Sequence, residues 1–238
     1  MRVDEQLCTG CGECLDYCSM DALQMADGIA AVNLELCVEC SVCRRSGICP
    51  TDAFVEEELA WPRSLRSIFS NPLTCFAETG VTGRGTEEMK TNEVTGRFGK
   101  DEAGVAIDIG RPNAGTSLAD VEKLAMAVAK VGVEFEPLSP ITMLMVNAAT
   151  GQLREEIRGE RVLSAVIELK TRPEKLPQLV GALREVEGQV CTVFTVGVIS
   201  RVGEDGRSIL LRPLLEETGI AVRSNGKVNL GLGRPRAE

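Results

Sequence analysis

The sequence predicts an α+β chain made of a small cysteine-rich module over residues 1–60 and an antiparallel-sheet domain of βαββαβ order over residues 104–202. Three observations predict it. Eight of the ten cysteines fall between Cys8 and Cys49 as an internal repeat at metal-ligand spacing. From Gly104 onward, apolar residues recur first with the period of a strand and then with that of a helix. A hydrophobic content of 44% over 238 residues suffices for two compact cores.

The repeat has a constant offset of 29 residues, setting Cys8-Thr9-Gly10-Cys11-Gly12-Glu13-Cys14 over Cys37-Val38-Glu39-Cys40-Ser41-Val42-Cys43. The fourth cysteine departs from it. Cys18 follows Cys14 after three residues and Cys49 follows Cys43 after five, so the second copy carries a two-residue insertion within 44–48. The tails realign, Ser19-Met20-Asp21-Ala22-Leu23 against Pro50-Thr51-Asp52-Ala53-Phe54. Apolar stretches at 29–34 and 54–55 read as short strands beside the cysteine loops.

Residues 61–103 form a connector that is too rich in charged side chains for a Gly/Ser linker and is expected to lie ordered across a domain. Its glycine-rich stretch 79–86 fails the dinucleotide fingerprint, because no apolar strand precedes it and no clear helix follows. Further on, 105–109 alternates as a strand, Thr116 or Ser117 caps a helix to about Val131, and 133–136 alternates again. Residues 163–170 are β-rich, 173–187 have helical spacing with a proline at the opening, and 190–202 are β-branched. The order βαββαβ is the split-βαβ pattern, a four-stranded antiparallel sheet with two helices on one face. Residues 203–238 are expected to pack on this domain as a tail, with one more apolar run at 209–215.

A [4Fe–4S] cube takes one thiolate per iron, and C-x2-C-x2-C wraps a loop so that three thiolates reach three corners. In the run C-x2-C-x2-C-x3-C the last cysteine ligates the other cluster, so the two halves exchange one ligand each. The reading therefore gives a first cluster Cys8, Cys11, Cys14 and Cys49, and a second cluster Cys37, Cys40, Cys43 and Cys18. Zinc, which also uses C-x2-C pairs, is the competing reading, but two close triads completed by each other's fourth cysteine are poor zinc-ribbon spacing. Gly10, Gly12 and Ser41 are small enough for loops whose N–H groups approach the sulfides. Cys75 reads as a reduced thiol in the connector and Cys191 as a small buried hydrophobe in a β-rich run.

Over residues 1–58, in all eight ligand positions and in Cys49-Pro50, the sequence resembles the bacterial dicluster ferredoxins. It departs from them at Ser19, where the family usually has proline, and in the C-x5-C spacing of the second run. The resemblance implies two [4Fe–4S] clusters and single-electron transfer. Three later segments, Trp61-Pro62-Arg63-Ser64-Leu65-Arg66, the stretch 83–92 and Gly231-Leu232-Gly233-Arg234-Pro235, resemble ferredoxin-containing proteins of anaerobes, some labelled 6-hydroxynicotinate reductase. That resemblance implies a component of an anaerobic reductase, and it singles out Arg84, Thr86, Glu87, Glu88, Lys90 and Asn92 as a candidate partner or substrate loop. By element order alone, the second domain is similar to ACT-type modules, which implies dimerisation or the sensing of a ligand by a redox regulator.

Charge is unevenly placed. Residues 1–60 carry twelve acids against Arg2, Arg44 and Arg45, a net of −9, whereas 23 acids and 23 bases cancel over the rest. Such an acidic module repels nucleic acid and steers toward a basic patch on a redox partner, expected to be a flavo- or metallo-oxidoreductase. The absence of histidine removes the commonest general base and the usual nucleophile systems, so the chain reads as an electron carrier or subunit rather than a self-sufficient catalyst. Reduced metal-ligand cysteines, no apolar leader and no window near the ~20 apolar residues of a membrane span predict a cytoplasmic protein. A homo-oligomer through residues 104–202 is the second expected partnership.

Overall fold

The computed structural model describes residues 1–75, 84–86, 88–200 and 216–220. The N-terminal module consists of two antiparallel ribbons and the cysteine loops between them. β1 (Arg2–Val3) pairs with β4 (Phe54–Val55), which closes the two ends of the module on each other. β2 (Leu23–Ala26) pairs with β3 (Ile29–Val32) across Asp27 and Gly28, whose φ values of 50° and 84° are those of a two-residue type I′ hairpin. α1 (Val42–Arg45) is one turn inside the second cysteine run, where the repeat carries its insertion. Met1, Cys14, Ala30 and Phe54 make a small core, with Cys8, Cys37, Cys43, Cys49 and Ile48 among the residues packed around it.

The larger core belongs to a four-stranded sheet. Its strands are β5 (Ala103–Ile109), β7 (Glu134–Phe135), β11 (Ala165–Thr171) and β12 (Phe194–Ile199), in the order β12-β5-β11-β7 with every neighbour antiparallel. Strand period places Ala103, Val105, Ile107 and Ile109 of β5, and Ala165, Ile167 and Leu169 of β11, on the face that meets the helices. That face is covered by α4 (Leu118–Ala129) and α6 (Leu176–Glu187), which send Val121, Leu124, Val128, Leu179 and Leu183 into the same core. Ser117 caps α4 by accepting the Asp120 N–H at 3.1 Å, as its place before an apolar-periodic run predicts.

Two features lie beyond the sequence reading. Residues 136–164, between β7 and β11, hold α5 (Pro140–Met143), the hairpin β8 (Met145–Asn147) with β9 (Gln152–Leu153), and β10 (Arg161–Val162), which pairs with β6 (Thr116–Ser117). The connector is likewise built into the body. Its helix α2 (Ser64–Ser70) buries Leu65 and Phe69 in the larger core, and after the short α3 (Asn92–Thr95) the side chain of Phe98 covers Gly104 on the sheet face away from the helices.

The last strand begins at Phe194 rather than at 190, and this corrects the place of Cys191. The residue is exposed, in the turn before β12, where its N–H goes to Asp120 Oδ2 at 3.2 Å. Of the expected tail, only 216–220 is described, with Thr218 O accepting from Arg184 at 3.0 Å; the apolar run 209–215 and the glycine-rich end lie outside the described residues. Among the described residues, no helix is long and apolar enough to cross a membrane.

Candidate metal centre

Each C-x2-C-x2-C run folds as a loop that alternates left- and right-handed backbone, and the repeat holds at the level of single dihedrals. Gly10 and Gly12 have φ of 70° and 77°; at the matching positions Glu39 and Ser41 both have φ of 55°. The tails obey the same rule, with Asp21 at 51° and Asp52 at 52°. The first loop requires glycine at Gly10, because a Cβ there would meet Gly28 O at 2.0 Å. At the matching position, the left-handed Glu39 is held by its side chain: Oε2 accepts from the Met1 ammonium at 2.7 Å and Oε1 from Arg63 at 2.6 Å.

The loops bring the cysteines together across the repeat. Cys8, Cys11 and Cys14 line a small cavity, partly open to solvent, with Cys49 and with Val3, Ala30, Ile48 and Phe54. Cys40 and Cys43 lie within electrostatic reach of Cys18, and Cys43 also within reach of Cys37. Backbone N–H groups point at sulfur: Ala30 to Cys8 at 3.4 Å, and, at matching places in the two tails, Ala22 to Cys18 at 3.2 Å and Ala53 to Cys49 at 3.3 Å. Among the described residues, no three potential ligand side chains converge on one point as a mononuclear ion requires. The soft thiolate donors of the first site, in an apolar-walled cavity, fit a cube that gives each thiolate an iron of its own.

The family model for the 4Fe-4S binding domain matches residues 1–24. The N-terminal segment is a 4Fe–4S ferredoxin domain. It is similar to Ferredoxin-1 of Rhodobacter capsulatus, found under two strain designations, at 38% identity over 40 residues. The match takes in 17% of this chain and 62% of that ferredoxin, so the chain spans less than two thirds of the relative it matches. No solved structure matches. Both similarities support an iron–sulfur electron-transfer role.

Electrostatics distinguishes the two halves of the cysteine-rich module. Burial pushes the Cys14 thiol up, with the charges of Cys11, Cys8 and Cys49 adding to it. Burial also raises Cys37 and Cys40, and it takes Cys43 to about 12 with help from the neighbouring Cys40 and Cys37. Cys49 goes the other way: burial raises it, but N–H groups from Ala53, Thr51 and Asp52 and the Thr51 hydroxyl outweigh that and hold it below the usual thiol range. Buried thiols bind a metal only as thiolates, so loading such sites releases protons and neutralises charge that burial penalises.

The candidate loop in the connector serves the opposite sheet face. Arg84 O accepts from Val166 N at 3.0 Å, and its half-buried guanidinium is held below its ordinary pKa by burial and by the nearby Arg111. Thr86 gives its N–H to Glu168 Oε2 at 2.7 Å and its hydroxyl to Oε1 at 3.2 Å. Glu88 pairs with Arg97 at 2.9 Å, Lys90 lies within electrostatic reach of Glu168, and Asn92 holds the backbone of Phe98 through two bonds of 2.8 Å. Glu87 lies outside the described residues. The residue that sequence reasoning missed is Glu168, 1% exposed in the middle of β11, with its pKa raised to about 7 by burial. Its signal was present in the sequence, a lone carboxylate inside the apolar run Ala165-Val166-Ile167-Glu168-Leu169.

Proposed function

We propose that this chain is a low-potential electron-transfer protein or electron-transfer subunit holding two [4Fe–4S] clusters, the first on Cys8, Cys11, Cys14 and Cys49 and the second on Cys37, Cys40, Cys43 and Cys18. The observation that supports the reading is the neighbourhood of the fourth cysteines: Cys49 lines the cavity of the first triad, and Cys18 lies within electrostatic reach of Cys40 and Cys43. Bound clusters supply one-electron chemistry. The chain's own part is to bury the thiolates, aim N–H groups at them and exclude water behind Val3, Ile48 and Phe54.

The acidic surface of residues 1–60 is the docking face for a basic redox partner. The sheet domain serves docking or self-association, a reading supported by its split-βαβ strand order and by β12. Among the described residues that strand has a neighbour only in β5, which leaves its outer edge for another chain. The exchange of ligands is tested by EPR of single-cysteine variants. Cys18→Ala should give the spectrum of Cys40→Ala, with the signal of the other cluster intact; a spectrum like that of Cys11→Ala would overturn the assignment.

A further inference from the structure

The two cysteine sites have the same donors but different surroundings. No charged side chain lines the cavity of the first triad. The second triad is gripped by the start of α2. Arg63 Nη1 and Arg66 Nη1 both donate to Leu34 O, at 3.0 and 2.9 Å, and Arg66 Nη1 also donates to Cys37 O at 2.8 Å. Arg63 closes on Glu39, between Cys37 and Cys40, while Arg66, 5% exposed, is anchored on its far side by Glu160. A third cation, Arg45 from the region of the insertion, reaches Cys40 O at 2.9 Å. The segment Trp61-Pro62-Arg63-Ser64-Leu65-Arg66 thus places two guanidiniums, one helical turn apart, against the ligand loop of one site and not the other.

We propose that Arg63 and Arg66 are positioning residues that raise the reduction potential of the site formed by Cys37, Cys40, Cys43 and Cys18. The inference rests on the two-cluster reading. Reduction adds one negative charge to a site. Burial opposes that charge at the second triad; a fixed cation packed against the same loop favours it, and Arg66, 5% exposed, does so with little screening by water. Arg66 is held by Glu160 and by the carbonyls of Leu34, Glu35 and Cys37, and Arg63 by Glu39 and Leu34 O, so neither charge moves away when the electron arrives. The clamp therefore offsets the cost of burial at this site and keeps its potential within reach of the first.

The test is an EPR-monitored redox titration of the cluster-loaded protein, with the signal lost in Cys40→Ala identifying the second site. Arg63→Met leaves Glu39 paired with the Met1 ammonium and removes one positive charge. It should lower the potential of the second site by at least a tenfold change in its equilibrium constant, 59 mV for one electron, and leave the first unmoved. Arg63→Lys keeps the charge and should stay near the parent potential. The double change Arg63→Met with Glu39→Gln removes an opposite pair and should restore most of the shift. Arg66→Met should act in the same direction. No shift in Arg63→Met, or an equal shift at both sites, would overturn the proposal with the two clusters still present. An iron content short of two clusters in the parent protein would instead overturn the reading on which it rests.

Discussion

At the residue scale, the account turns on groups whose environment contradicts their type. Glu39 and Ser41 adopt the left-handed backbone that Gly10 and Gly12 adopt in the other half, and the cost is met locally by the Met1 ammonium and Arg63 on the Glu39 carboxylate. Burial raises the Glu39 pKa, but those two cations outweigh it and hold the group below the usual carboxylate range. Glu168 shows the reverse. Burial dominates, Thr86 and the charge of Lys90 offset only part of it, and the carboxyl titrates near 7. A folded-state pKa above that of the unfolded chain means that the unfolded chain ionises first, so stability is lost as pH rises from the ordinary carboxylate range to about 7 and is level above it. The slope is about 1.4 kcal/mol per pH unit within that window. Glu168→Gln should remove the slope. Calorimetric melting of parent and variant at pH 5, 6, 7 and 8 checks it, and equal slopes in the two proteins would show that Glu168 does not titrate there.

At the element scale, the sheet and its helices were legible where pattern and capping agree. The alternation at 105–109 and the β-rich run at 163–170 are read from side chains that enter one core, and Ser117 announces α4 through the N–H it accepts. Ser117→Ala should cost about 1 kcal/mol. A lowered melting temperature with unchanged cluster absorption would be the expected result, since the cap lies in the sheet domain. What was not legible has a physical cause. β8, β9 and β10 span two or three residues each, too few for any period to show. Cys191 stands next to a β-branched run, and nothing in the run tells that pairing with β5 starts only at Phe194 opposite Ile109. The helix α2 was hidden for a similar reason: seven residues, opened by Arg63 and holding Arg66, read as connector, although Leu65 and Phe69 complete the larger core and Arg63 and Arg66 face the cysteine-rich module.

At the scale of the whole molecule, the cysteine spacing carried most of the site, because ligand geometry is local and repeats with the chain. The proposed exchange of Cys18 and Cys49 between halves rests on the same spacing. The candidate loop is tied into the fold. Of its described residues, Thr86, Glu88 and Asn92 make their bonds within the fold, on the sheet face turned away from the helices. The cysteine-rich module is fastened by α2 to the larger body. Arg66 spans the two, with the Cys37 loop on one side and Glu160 on the other. The central claim is the pair of clusters, and it is tested most directly by iron and acid-labile sulfide per chain on anaerobically purified protein, with EPR of the dithionite-reduced form. The account predicts about eight of each and interacting S = 1/2 signals; zinc with little sulfide, or about four of each, would contradict it.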